Sequence, residues 1–189
     1  MMQIDRITAP PVDVFTHAEL AAHLRIDEAD PIQMGEAIRM ARAATRELEQ
    51  HGSLALITQT VRVTLGEWPE GKGLRLPIAP VALSSDCTFT VDGQAFTGFR
   101  LHGGLRPTLW VVNRPVIVSE IEDTPSEGIV IEYPAGFGDT AEDVPADLRL
   151  AVLDQAAAFF DCRGAGDGKT QHLSPHAARI AARYRRVAL

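Results

Sequence analysis

The most chemically suggestive stretch of this sequence is Gly164-Ala165-Gly166-Asp167-Gly168-Lys169-Thr170, glycine-rich and ending on a lysine and a hydroxyl. Such loops hold phosphate because bare backbone N–H groups wrap the oxyanion while the lysine offsets its charge. The phosphate-loop pattern needs a further glycine five residues before Gly168, and that position is Arg163. It also needs a strand before the loop and a helix opening at its end. Here the preceding pattern is helical, and the next helix start is at Pro175. Nucleotide hydrolysis through Lys169 is thus the weaker reading, and the stretch reads as a hinge pivoting on Gly164, Gly166 and Gly168.

Other candidate chemistry dissolves in the same way. His172 and His176 are four apart, but Pro175 starts a helix between them and no Cys or Glu completes a ligand set. They read as surface histidines. Gly136-Phe137-Gly138-Asp139 is a lone G-x-G without its second half, and fits a strand-to-helix turn better than a dinucleotide site. Cys87 and Cys162 lie far apart, so no disulfide framework or cysteine zinc site is expected, and free thiols in a reducing cytoplasm fit better. Acid pairs such as Glu142/Asp143 single nothing out, and no G-x-S-x-G occurs. We therefore expect no catalytic residues, no metal, no cofactor and no enzyme.

The strongest local signal is charge. Arg179, Arg183, Tyr184, Arg185 and Arg186 gather near the C-terminus. They read either as a solvated helix face or as a dock for an acidic partner, since arginine forks match carboxylates. Residues 163–189 carry net +5, which leaves −12 for residues 1–162 of a chain whose net charge is −7. So acidic a body argues against wrapping DNA, whose non-specific affinity comes mainly from Lys and Arg on phosphates.

Elements must position these residues. Thr16-His17-Ala18-Glu19 is a capping box, with Phe15 and Leu20 placed as a staple, and opens a short helix ending near 24–26. Asp30-Pro31 opens a second, with Ile32, Ile38, Ala41, Thr45 and Leu48 as its apolar stripe and His51-Gly52 as its stop. The period then changes to two: Ile57, Gln59, Val61, Val63 and Leu65 share one strand face. Further strands are expected at 74–76, 87–91, 95–101, 109–112, 116–121 and 129–133, with Asp92-Gly93 as a hairpin turn. A third helix starts at Pro145, its face formed by Leu148, Val152, Ala156 and Phe159 with Leu153 and Phe160 beside it, and ends at Arg163-Gly164. Ser174-Pro175 caps a last helix running to about Arg186.

The fold class is α+β: a small helical bundle with an antiparallel β insertion between helices two and three. Residues 1–53 and 135–163 form the helical core, 54–134 the insertion, and 164–189 the hinge and basic arm. With 189 residues and 46% hydrophobic content the chain can bury such a core. No apolar N-terminal leader or run of about 20 apolar residues appears, so a protein made in the cytosol, without a membrane partner, is expected.

Three segments in order resemble the head–tail connector (adaptor) family of long-tailed phages. The first is FTHAELAAHLRIDEADP followed by the second helix and the entry LALITQTVRVTL into the first strand. The second is LRLPIAPV, residues 74–81, and the third IVIEYPAGFGDTAEDVPADLRLAVLDQAAAFFDCRG, residues 129–164. Together they span most of residues 15–164. Ser53 and Leu54 stand where the family often has a more polar pair, Phe137 where tyrosine is commoner, and the tail beyond Gly164 lies outside the shared pattern.

The resemblance implies a structural subunit of a phage or gene transfer agent neck, assembled as a ring of about twelve copies. Such a ring docks on the portal and offers a platform to the stopper or tail terminator, while DNA passes through its lumen without specific binding. The C-terminal segment, with Arg179, Arg183, Tyr184, Arg185 and Arg186, is expected to meet the portal, ordering on docking and dispensable for the fold. The competing reading is a nucleic-acid-binding module working through that basic segment.

Overall fold

The computed structural model describes residues 2–71, 73–82, 86–117, 128–162 and 173–185, and the chain divides into two compact units. One unit is helical and comprises Pro11–Ile57 with Phe137–Leu189. Helix α1 (His17–Leu24) begins on the expected capping box: the Thr16 hydroxyl accepts the Glu19 N–H at 3.1 Å, and the Glu19 carboxylate accepts the Thr16 N–H at 2.9 Å. In α2 (Pro31–Gly52) the Asp30 carboxylate accepts the Ile32 and Gln33 N–H groups.

The buried stripe of α2 is Met34, Ala37, Ala41, Ala44 and Leu48, a strict three-four alternation. The expected stripe through Ile32 is wrong at its start. Ile32 sits about 200° around the helix from Met34 and is 76% exposed. Ile38 and Thr45 border the true stripe and are half-buried. The C-cap also differs. Ser53, not Gly52, takes the left-handed conformation (φ 54°), while Gly52 must lack a side chain because a Cβ there would lie 2.8 Å from the buried Leu54 side chain.

Helix α3 (Ala146–Asp161) buries Leu148, Ala151, Val152, Gln155, Ala156 and Phe160 against that stripe, with Phe159 and Leu153 half-covered beside them. Alanines at facing positions of α2 and α3 let the helices approach closely. Helix α4 (Pro175–Tyr184) adds Ala177, Ile180 and Ala181 to the same core. Arg149 of α3 bonds Glu19 of α1. The N-terminal residues depart from the expected helical segment 1–53, since Met2–Arg6 belong to the other unit.

That second unit comprises Met1–Pro10 with Thr58–Gly136 and is built of antiparallel strands. In chain order these are β1 (Met2–Arg6), β2 (Gln59–Leu65), β3 (Gly73–Arg75), β4 (Thr88–Val91), β5 (Gln94–Ala95), β6 (Phe99–His102), β7 (Thr108–Val111) and β8 (Ile129–Ala135). One sheet has the order β1-β2-β8-β4-β5, the other β3-β7-β6. Its core is the alternating face read from the sequence: Val61, Val63 and Leu65 of β2 lie opposite Tyr133, Ile131 and Ile129 of β8. Phe89 and Val91 of β4 extend the layer. Asp92 (φ 48°) and Gly93 (φ 74°) form the two-residue hairpin turn.

β1 was not legible beforehand, because five residues with one apolar alternation make a strand only when β2 is there to pair. The single strand expected at 95–101 divides into β5 and β6, which belong to different sheets. Gly98 lies between them, where a Cβ would meet the Phe96 ring at 2.7 Å. Of the strand expected at 116–121, Val116 and Ile117 are not in a sheet and the rest lies outside the described residues.

Candidate functional site

The predicted partner-facing cluster lies on α4. Its helix is set by Ser174, whose hydroxyl accepts the Ala177 N–H, and by Pro175 in the first turn. Gln155, fully buried on α3, accepts the Ser174 N–H at 2.7 Å and so fixes where α4 starts. Arg179, Arg183 and Arg185 are exposed and Tyr184 is half-buried. Arg183 reaches Asp147 of α3 at 3.8 Å, and the Tyr184 hydroxyl donates to the same carboxylate at 2.8 Å. The Tyr184 ring meets Phe137 edge-on, centroids 5.9 Å apart. Burial, then its bond to the Asp147 carboxylate, pushes the Tyr184 phenol up to about 12.

α4 is therefore part of the helical core rather than an arm beside it. Removing residues 165–189 would uncover the core around Ala177, Ile180 and Ala181, so the segment is not dispensable for the fold as the sequence had suggested. Arg186, the glycines Gly164, Gly166 and Gly168 expected as a hinge, and Lys169, Thr170 and His172 lie outside the described residues.

His176 is not an isolated surface histidine. Its Nδ1 lies 3.1 Å from Asp154 Oδ2, and His23 Nε2 lies 3.1 Å from Asp154 Oδ1, so one carboxylate of α3 links α1 and α4. No spacing rule brings 23, 154 and 176 together. Among the described residues no group of three His, Cys, Asp or Glu side chains is arranged to hold a metal ion, and no helix is long and apolar enough to cross a membrane.

Gly138 forms a bridge with Ile57 and faces the Asp143 side chain so closely that a Cβ has no room there. The Phe137 N–H donates to the Leu56 carbonyl at 3.2 Å. The G-x-G is thus the strand-to-helix turn, followed by a short 3₁₀ turn, Ala141–Asp143. Burial pushes the Cys87 thiol up to about 11, which keeps it protonated and weakly nucleophilic at neutral pH.

One surface escaped the sequence reading because its members are scattered along the chain. On the sheet β3-β7-β6, Trp110 lies opposite Gly73 and Arg100, and Thr108 opposite Arg75 and His102. Arg75, Arg100, His102 and Trp110 are all exposed, while the alternate residues Leu74, Leu109 and Val111 are buried.

No protein-family profile matches this sequence, and a search of curated proteins finds no match. Solved structures do match, along nearly the whole chain. A chain of the native gene transfer agent virion is 27% identical with a TM-score of 0.75, over 98% of this chain and 96% of that one. A chain from the neck of the empty gene transfer agent particle, computed with C6 symmetry, is 27% identical with a TM-score of 0.76, over 99% and 97%. A chain from the neck of the native particle, computed with C12 symmetry, is 26% identical with a TM-score of 0.69, over 99% and 97%. This chain is built, from one end to the other, like a structural component of the neck of a gene transfer agent particle.

Proposed function

We propose that this chain is a head–tail adaptor. About twelve copies close into a ring between the portal and the stopper or tail terminator of a gene transfer agent or phage-like particle, and DNA passes through the lumen without specific binding. The likeness to neck chains over 96–97% of their own length carries this reading, and the C6 and C12 symmetry of those necks supports a ring of copies. The helical unit serves as the bundle, with residues 58–136 inserted into its sequence as the β element. The role is geometrical, with no turnover and no membrane partner.

In this reading α4 presents Arg179, Arg183 and Arg185, with Tyr184 behind them and Arg186 beyond, to an acidic rim of the portal. Charge-assisted arginine–carboxylate bonds would steer that docking, and salt would weaken it. The decisive experiment is imaging of particles carrying a density-labelled copy of the chain. Label in a neck ring supports the assignment, and label elsewhere ends it. For the portal face, Arg179→Glu combined with Arg185→Glu should cut portal capture roughly tenfold in low salt. Micromolar, steeply salt-dependent binding of duplex DNA by the isolated chain would favour the nucleic-acid reading instead.

A further inference from the structure

The exposed face of the β3-β7-β6 sheet has the make-up of a protein interface. Trp110 stands 46% exposed at its middle. The indole lies over Gly73, where a Cβ would come within 3.7 Å of the ring, and His102 approaches edge-on with centroids 6.5 Å apart. A large aromatic side chain with only two rotatable bonds loses little conformational entropy when covered, which is why tryptophan recurs at binding hot spots. Around it the chain is basic, in a protein of net charge −7. Residues 97–117 contain Arg100, Arg106 and Arg114 and no Asp, Glu or Lys. The same stretch leaves Leu105, Val112 and Val116 exposed, the last by 85%.

The helical unit carries the opposite character at one place. Residues 26–38 contain Asp27, Glu28, Asp30 and Glu36, with the exposed Arg25 and Arg39 just outside them. At the start of α2, Asp27, Glu28, Ala29, Pro31 and Ile32 are all exposed, and Ile32 is the most exposed large apolar side chain among the described residues of that unit. An exposed isoleucine close in sequence to exposed Asp27 and Glu28 complements an exposed tryptophan paired across the strands with Arg100. Both remain exposed in the single chain, so the chain does not satisfy them with itself.

We propose that the Trp110 face of one copy receives the Ile32 corner of the next copy, with Arg100 and Arg75 meeting Asp27 and Glu28 around the apolar centre. This rests on the ring reading above and supplies its contact. Two different surfaces of the same chain generate a head-to-tail series, which closes when the rotation per copy divides a circle. Duplex DNA is the weaker occupant, because Leu105, Val112 and Val116 offer nothing to phosphate.

The test is charge exchange in the full-length chain, with self-association followed by sedimentation velocity over concentration and salt series. Arg100→Glu and Glu28→Arg should each weaken association roughly tenfold, and the double variant should regain most of the loss. Trp110→Ser should weaken it at least as much. Thermal melts identify any variant that fails to fold, and the exposed Glu28→Arg provides a second route to the same contact. A double variant no better than either single one overturns the contact, as does a wild-type chain that never associates. Duplex binding lost in Arg100→Glu, with association unchanged, reassigns the face to nucleic acid. If the labelled chain sits in the neck ring and neither reversal impairs its incorporation, the contact falls while the ring stands. Absence of the label from the neck removes the ring itself.

Discussion

The helical unit and the β unit deal with their apolar side chains in opposite ways. In the helical unit alanines and leucines of α2, α3 and α4 meet in one core, and the helix starts are closed by Thr16, Asp30 and Ser174. The β unit buries one face of its larger sheet and keeps apolar residues outside. Of the ten large apolar side chains left exposed among the described residues, seven belong to it. Buried apolar side chains hold a unit together, whereas exposed ones are free to be covered by a partner. In the ring proposed above, the β unit therefore supplies most of the residues that would matter for assembly, with Ile32 as the exception in the helical unit.

Substitutions can break that contrast or sharpen it. The largest effect should come from the helical core, where Leu148→Ala removes a fully buried side chain between tightly packed helices. A loss of about 3 kcal/mol in urea unfolding is expected. Next is Gln155→Leu, which leaves the Ser174 N–H without its acceptor and loosens the start of α4. We expect about 2 kcal/mol there, with the loss showing in amide exchange of α4 before that of α2. Thr16→Ala, read as the fall in melting temperature, should cost about 1 kcal/mol through the first turn of α1.

Acid should act on the same caps. The Glu19 carboxyl is held below its ordinary value chiefly by the Thr16 N–H, Asp30 by the Gln33 N–H, and Asp143 by the Thr140 hydroxyl. Each group is more acidic folded than unfolded, so its stabilisation is present above the ordinary carboxylate range near pH 4 and lost as pH falls through the folded values. Helical circular dichroism should thus melt at lower temperature below about pH 4, and Glu19→Gln, which removes the titrating carboxyl, should blunt that dependence. At the bottom of the scale, Trp110→Ser should change unfolding by within about 0.5 kcal/mol while impairing self-association. A large loss of stability there would mean that the indole is part of the fold and would erase the contrast.

Much of this was legible in residue order because it is local. The Thr16 box, the Asp30-Pro31 and Ser174-Pro175 starts, the alternation of β2 and the Asp92-Gly93 hairpin depend on neighbours within a few positions. The errors arose where the partner was distant. Ile32 looked like core until Met34 set the phase of α2, and β1 had no signal without β2. The glycine-rich stretch 164–168 stands out by composition, while the Arg75–Arg100–Trp110 face does not, because a strand pairing assembles it.

The sequence alone determined the helix starts, the switch from helical to strand periodicity, the acidic body with its basic tail, and the resemblance that pointed to a particle neck. Only the tertiary structure decided that α4 is core and not an arm, that Asp154 gathers two histidines, and that arginines and a tryptophan meet on an open sheet face. The physical reason is range. Caps and turns are settled by hydrogen bonds across a few residues, whereas a surface takes its character from whichever strands and helices packing brings side by side.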